Sequence, residues 1–242
     1  MNKIINSSNL RNFAYVNNSI CKKPIKGIVV DSVSLYELKT FSSDTEKGID
    51  FAENNILYIF PYNNPWCWMN KQAIQMTDEI IDVLFEMYDL PENTPIVSTG
   101  GSMGGMSAIV YCKYAKRTPI ACVAGCPVCD VPFHFDERDD LPRTMYSAFY
   151  NEEGELYDIL ERFSPLHLVP ELPRIPYHVF HCDADTMVKI DLHSDKFVKK
   201  MRENNHSITY DIVHGKGHSV YGEEDLKKMR QYTLDAFDEF YK

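Results

Sequence analysis

A chain of 242 residues with a formal charge of −10, 44% hydrophobic and 25% charged residues, has the composition of a globular protein able to bury a large core. The acidic balance argues against nucleic acid as a partner, because binding a phosphate backbone needs a basic surface, and it offers no attraction to anionic membranes. Residues 1–12 lack the positive start and apolar run of a secretory leader, and no apolar stretch approaches the roughly 20 residues that span a bilayer. Seven cysteines, an odd count with several inside apolar runs, read as reduced core thiols and a cytoplasmic location.

Short apolar runs alternate with amphipathic stretches along the chain. Strands are expected over 12–16, 25–30, 56–60, 96–99, 120–124, 177–181 and 208–213, and their largely apolar character suits a parallel sheet buried on both faces. Helices are expected where apolar residues recur at 3.6 spacing. One set is Ala73, Met76, Ile80, Leu84 and Met87; another is Ile190, Phe197, Val198 and Met201; the last is Leu226, Met229, Thr233, Phe237 and Phe240. Glu223, Glu224 and Asp225 place acids at the start of that last helix, where the dipole favours them. A further helix is expected over 106–115.

The alternation breaks once. After the strand ending near Gly125, about 50 residues pass before the next, well beyond an ordinary loop. Leu156, Ile159, Leu160 and Phe163 share one helical face there, and 145–150 suits a second short helix. Residues 131–165 therefore read as a small helical cap over the C-terminal edge of the sheet, where ligands of open α/β sheets sit. The expected fold is α/β: a doubly wound, mostly parallel sheet in one domain over 1–242, with the cap between the last-but-two and last-but-one strands.

Chemistry concentrates at Gly100-Gly101-Ser102-Met103-Gly104-Gly105. A β-branched run precedes this Gly-x-Ser-x-Gly pentapeptide and a helix follows it, so Ser102 sits on a sharp strand-to-helix turn that lifts its hydroxyl above the sheet. The same turn aims the Met103 N–H at the place where an oxyanion would form. A phosphate-binding loop would need a Lys followed by Ser or Thr after the glycines, which is absent. A serine nucleophile needs a base oriented by a carboxylate. His218 follows the last strand in a glycine-bearing loop, with His214 as its rival. Asp185 and Asp183 both lie just after the 177–181 strand, and Asp130 is a third candidate. The order Ser102, Asp185, His218 is the one that accompanies this turn.

With those motifs in order, the chain resembles the α/β-hydrolase superfamily, in the branch that includes prolyl oligopeptidase-like and dienelactone hydrolase-like proteins. The acid loop of that branch often reads His-Gly-x-x-Asp-x-x-Val. Here it reads His181-Cys182-Asp183-Ala184-Asp185-Thr186-Met187-Val188, which places the acid on Asp185. Ser164-Pro165-Leu166-His167-Leu168-Val169, with Pro176 before the next strand, also resembles the approach to that loop. In the branch a second oxyanion donor comes from a glycine-bearing loop after an earlier strand. This chain has Asp31-Ser32-Val33-Ser34-Leu35-Tyr36 instead, so the resemblance points to a backbone N–H of Ser34 or Leu35.

The resemblance implies a serine hydrolase of carboxylesterase type working through an acyl-enzyme on a small-molecule ester, with no metal or organic cofactor. An ester is favoured over a peptide because the chain has no room for the large gating domain of prolyl oligopeptidase-like peptidases. A small serine peptidase or amidase is the alternative, as is a catalytically silent hydrolase fold that binds a ligand or partner. Trp66, Trp68 and Tyr62 are expected either to line the substrate or to pack the following helix, and Phe133, Phe135, Tyr146, Phe149 and Tyr150 to extend an aromatic wall from the cap. Cys126 and Cys129 invite a redox or zinc reading, but His134 is the only further zinc ligand nearby, so they read as pocket floor. His178 and His181 read as satisfied core histidines. Nothing in the sequence sets the oligomeric state.

Overall fold

The computed structural model describes residues 4–242; residues 1–3, the start of the segment read above as lacking a leader, lie outside it. In chain order the elements are β1 (Ala14–Val16), β2 (Gly27–Ser32), α1 (Glu46–Glu53), β3 (Ile56–Pro61), α2 (Lys71–Tyr88), β4 (Ile96–Gly101), α3 (Met103–Tyr114) and β5 (Ala121–Gly125). Four short helices follow: α4 (Val131–Glu137), α5 (Pro142–Phe149), α6 (Leu156–Arg162) and α7 (Pro165–Leu168). The chain ends with β6 (Tyr177–Cys182), α8 (Ser194–Glu203), β7 (Ile208–Val213) and α9 (Glu223–Phe240).

The sheet order is β1-β3-β2-β4-β5-β6-β7. Only β1 runs antiparallel, against β3; every other pairing is parallel. Every residue of β2, β3 and β5 is buried. Because successive side chains point to opposite faces, helices must cover both. Arg230 of α9 pairs with Asp50 of α1, its Nη2 2.6 Å from Oδ1, and Tyr111 of α3 donates to Asp78 of α2 at 2.7 Å. The expectation of two-sided burial fails at β7, an edge strand in which only Val213 is buried.

The chain steps from β2 outward to β3, then returns to place β4 on the other side of β2. Strand order therefore reverses between β2 and β4, and a crevice opens above their C-terminal ends. Ser102 follows β4 and the segment 33–36 follows β2, so both face it.

All seven expected strands form. The second is displaced two residues toward the C-terminus, running through Asp31 and Ser32. A carboxylate is tolerated in this buried strand because Asp31 Oδ2 accepts from Tyr58 OH (2.6 Å) and from Lys47 Nζ (2.8 Å). Helix α1 went unrecognised because its eight residues carry only two large apolar side chains, Ile49 and Phe51; it starts on a local device, Thr45 accepting from the Gly48 N–H at 2.9 Å. The start of α9 uses an acid more directly than the dipole argument required, Asp225 accepting from the Gly222 N–H at 2.9 Å.

The insertion between β5 and β6 spans the expected cap and adds α4. Leu141, Met145, Phe149, Ile159, Leu160 and Phe163 are buried in the same cluster as the sheet residues. Two bonds tie it to the loop before α2: the Trp68 indole N–H donates to Thr144 Oγ1 (3.0 Å) and Asn70 Nδ2 to the Ala148 carbonyl (2.6 Å).

Candidate active site

Ser102 holds φ 58° and ψ −125°, a left-handed conformation that costs of order 1–3 kcal/mol in a non-glycine residue. The turn is fixed around it. The Ser102 N–H continues the β4–β5 ladder to the Gly125 carbonyl at 2.8 Å. A Cβ on Gly100 would stand 2.2 Å from the Gly104 carbonyl oxygen, and one on Gly104 would stand 2.3 Å from that of Ser32. Glycine at these two positions lets α3 begin directly against the ends of β4 and β2.

Three side chains from three strand ends meet here. His218 Nδ1 lies 2.6 Å from Asp185 Oδ2, and His218 Nε2 lies 2.8 Å from Ser102 Oγ. A carboxylate only accepts, so Nδ1 carries the proton and Nε2 is left to accept from the serine hydroxyl. Asp185 Oδ1 accepts the backbone N–H groups of Met187 (2.8 Å) and Val188 (2.9 Å). Burial pushes the Asp185 carboxyl up; the nearby N–H groups of His181, His218 and Val188 outweigh this and hold it well below the usual carboxylate range. Asp185 is therefore ionised wherever His218 needs it.

The rival residues pair with each other. Asp183 accepts from His214 at 2.7 Å and from the Gly215 N–H at 2.6 Å, on the exposed side of the loops. Asp130 instead caps α4, accepting from the Phe133 N–H at 3.1 Å.

On the oxyanion side, the Met103 N–H opens α3 and has no partner among the described residues, as the first donors of a helix do not. The structure separates Ser34 from Leu35. The Ser34 N–H donates to Glu37 Oε2 at 3.1 Å, so it is occupied, while its hydroxyl donates to the Gly101 carbonyl at 3.1 Å. The Tyr36 N–H donates to the Pro65 carbonyl (2.7 Å) and the Glu37 N–H to the Ser34 carbonyl (3.1 Å). Among the described residues Leu35 alone of 34–37 keeps its N–H without a partner.

The aromatic candidates divide. Trp68 is fully buried, bonded to Thr144 and edge-on to His134, which makes it the anchor of the insertion, with no face open to a ligand. Tyr62 is half-buried, its hydroxyl accepting from the Phe41 N–H at 2.9 Å. Trp66 packs edge-on against Tyr36 in the loop beside Leu35, and its indole N–H has no acceptor. From the insertion, Arg138 donates to the Met187 carbonyl (3.4 Å) while forked onto Asp140, so the helical insertion also touches the acid loop. Sequence patterning gave no sign of Glu37, Arg138 or the Asp183–His214 pair, because each depends on loop paths that periodicity does not report.

A polar cavity of about 420 Å³ adjoins Gly101 and Ser34, lined by Asp31, Glu37, Lys39, Lys47 and Tyr58 among others. A larger one of about 510 Å³ lies away from Ser102, between α2 and the insertion, against Lys71, Ile74, Tyr114, Glu152 and Phe163.

Two groups among the described residues bring enough ligating atoms together for a metal: Cys126, His181 and Asp185, and His134, Glu137 and His193. In both, a histidine nitrogen facing the group already carries a proton. His181 Nε2 donates to the Val188 carbonyl at 2.8 Å. His193 Nδ1 accepts from the Asp130 N–H at 3.2 Å, which places the proton of this neutral ring on Nε2, the atom turned toward Glu137. Neither nitrogen offers a metal its lone pair. Cys126 and Cys129 do not face one another: Tyr221 OH donates to Cys126 Sγ (3.2 Å), whereas Cys129 Sγ donates to the Pro127 carbonyl (3.4 Å). Burial pushes the Cys129 thiol well above its ordinary range, away from the thiolate that redox or zinc chemistry needs.

The strand order, the insertion after β5 and the serine on a strand-to-helix turn define an α/β-hydrolase. The sequence profile of the prolyl oligopeptidase family matches residues 75–240, and the chain belongs to that family. A comparison with curated proteins found no match. Among solved structures it is similar to the acylaminoacyl peptidase of Pyrococcus horikoshii, with 15% identity and a TM-score of 0.69 over 91% of this chain and 37% of that one. A puromycin-hydrolyzing peptidase of Mycobacterium tuberculosis gives 13% identity and a TM-score of 0.70, over 90% and 34%. An esterase of the Planctomycetes species Thermogutta terrifontis gives 18% and 0.63, over 94% and 87%. The chain thus spans about a third of the two peptidases and most of the esterase. At such identities the likeness is one of fold.

Proposed function

We propose that the protein is a serine hydrolase that cleaves small-molecule carboxylic esters through an acyl-enzyme. The observation that carries this reading is the unbroken line Ser102, His218, Asp185, with bonds of 2.8 and 2.6 Å. Ser102 Oγ attacks the carbonyl as His218 Nε2 takes its proton. Asp185 keeps the imidazole in the required tautomer and stabilises the imidazolium that forms. The oxyanion is received by the N–H groups of Met103 and Leu35, which have no partner among the described residues and lie on either side of the β2–β4 crevice. His218 returns its proton to the leaving alcohol, then activates water to release the acid from Ser102.

The fold shared with the Thermogutta terrifontis esterase supports the ester. Trp66 and Tyr36 supply an apolar flank for the acyl or alcohol group. Seven cysteines, all free, support a reducing, cytoplasmic setting, and among the described residues no helix is long and apolar enough to cross a membrane.

A fluorophosphonate probe tests the proposal. Labelling of the wild type that disappears in Ser102→Ala is the expected result; no Ser102-dependent labelling of folded protein would refute it. Turnover of an acyl-chain series of aryl esters against aminoacyl amides then separates esterase from peptidase.

A further inference from the structure

We infer that His181 is a positioning residue for Asp185, its Nε2–H bracing the acid loop from beneath so that the carboxylate meets His218 in one orientation. This rests on the serine-hydrolase reading above. His181 lies near the end of β6 and is fully buried. Its Nε2 is 2.8 Å from the Val188 carbonyl oxygen and 3.5 Å from Asp185 Oδ2. Its Nδ1 is 2.6 Å from Ser194 Oγ.

The proton positions follow. A carbonyl oxygen only accepts, so Nε2 carries a proton, and Nδ1 is held by its bond with the Ser194 hydroxyl. The Val188 peptide is then gripped at both ends: its N–H by Asp185 Oδ1 at 2.9 Å, its C=O by His181. Val188 is itself buried, so its carbonyl has no water to turn to if the histidine donor is removed. The turn 185–188 is thereby mounted on the start of α8, which carries Ser194.

The second contribution is electrostatic. At 3.5 Å the contact with Asp185 Oδ2 is too long for a strong hydrogen bond, but the Nε2–H held on the Val188 carbonyl keeps its partial positive charge close to a carboxylate buried away from solvent. His181 joins His218 and the Val188 N–H in holding Asp185 ionised against its burial. The ring thus fixes both where the carboxylate sits and how its charge is shared between His218 and the strand below. A histidine suits the position because one rigid ring reaches Ser194 on one side and Val188 on the other.

The test uses the full chain with His181→Phe, which keeps a flat aromatic ring and removes both nitrogens, and His181→Gln, which restores a donor. Three readouts are taken: kcat and KM on an aryl ester, the acid limb of the kcat/KM pH profile, and the NMR titration midpoint of the His218 ring without substrate. In His181→Phe kcat falls by about 10²-fold, the loss expected from an ångström-scale misplacement, while KM stays within about threefold. The His218 midpoint and the acid limb move to higher pH, because a carboxylate that has lost one donor presents more negative charge to the imidazole. His181→Gln recovers part of kcat and moves the midpoint back. A folded His181→Phe with kcat within about threefold of wild type and an unmoved His218 midpoint overturns the inference.

Should that variant not fold, Ser194→Ala decides, since it releases the ring without creating a large void: an upward shift of the midpoint supports the inference and an unchanged midpoint with unchanged kcat overturns it. The titration needs no turnover. A wild type that is inert toward esters and probe overturns the hydrolase reading, and the midpoint alone then decides whether His181 sets the field at His218.

Discussion

Replacing Gly104 by alanine tests whether the close contact between the serine turn and the end of β2 sets the catalytic geometry. The added Cβ would lie 2.3 Å from the Ser32 carbonyl oxygen and 3.1 Å from that of Val33, backbone atoms that cannot swing aside. Ordinary van der Waals contact begins near 3.4 Å, so α3 and the end of β2 must part by about 1 Å, a displacement of the size that costs ~10²-fold in rate when it reaches reacting groups. The Met103 N–H sits on the α3 side of that gap and the Leu35 N–H on the β2 side. Parting them removes one donor from any oxyanion held between them, a loss of ~10²–10³ in kcat. Overpacking of this kind costs about 1–3 kcal/mol of stability, which a folded domain tolerates. The expected result is a folded Gly104→Ala with kcat on an aryl ester lowered ~10²–10³-fold and KM changed far less. Circular dichroism and thermal denaturation check the fold, and steady-state kinetics the rate. A folded variant with kcat within about threefold of wild type would refute the reasoning, because the donors would then not depend on this contact.

The two aspartates of the acid loop make opposite predictions. Asp185→Asn should lower kcat by ~10⁴ by favouring the wrong imidazole tautomer, whereas Asp183→Asn, which disturbs the exposed bonds to His214 and the Gly215 N–H, should cost less than about tenfold in the same assay. Acid should weaken the fold through His193, whose burial holds it down to about 3. His134 and Glu137 of α4 face it, His134 also held low by burial, with Lys189 bonded to Glu137 and His181 nearby. An unfolded histidine titrates near 6.5, so between that value and about 3 the unfolded chain binds more protons. Stability from this group is full at neutral pH and is lost as pH falls, about 2 kcal/mol by pH 5. Urea denaturation at pH 7 and 5 should show that loss in the wild type and a smaller one in His193→Asn; equal losses would count against His193 as the source.

Much of the fold was legible because burial on both faces leaves little freedom in composition. β3 as Ile-Leu-Tyr-Ile-Phe-Pro and β5 as Ala-Cys-Val-Ala-Gly can hardly be anything else between helical stretches. Ser102 was legible for a different reason: two contacts at 2.2 and 2.3 Å admit only glycine, so the turn writes itself into the spacing. Choices that depend on side-chain direction were not legible. Residue types alone leave Asp183 and Asp185 open, and only the resemblance to the family's acid loop picks Asp185; the physical reason lies in Asp183 meeting His214 outside while Asp185 meets two backbone N–H groups within. Ser34 and Leu35 are adjacent, yet a carboxylate three residues on captures one N–H and leaves the other. Trp66 and Trp68 are equally aromatic, and only the course of the loop before α2 sends Trp68 under the insertion.

That course makes the helical insertion a poor candidate for transplantation. Trp68 and Asn70 belong to the sheet's own connection, but their hydrogen-bond partners, Thr144 and Ala148, belong to the insertion. Exchanging residues 131–165 for the equivalent stretch of another hydrolase would strand an indole N–H and an amide in a buried seam and open a void around the larger tryptophan body. Changes aimed at substrate range are therefore better directed at Tyr36 and Trp66, which meet edge-on beside Leu35, than at this structural joint.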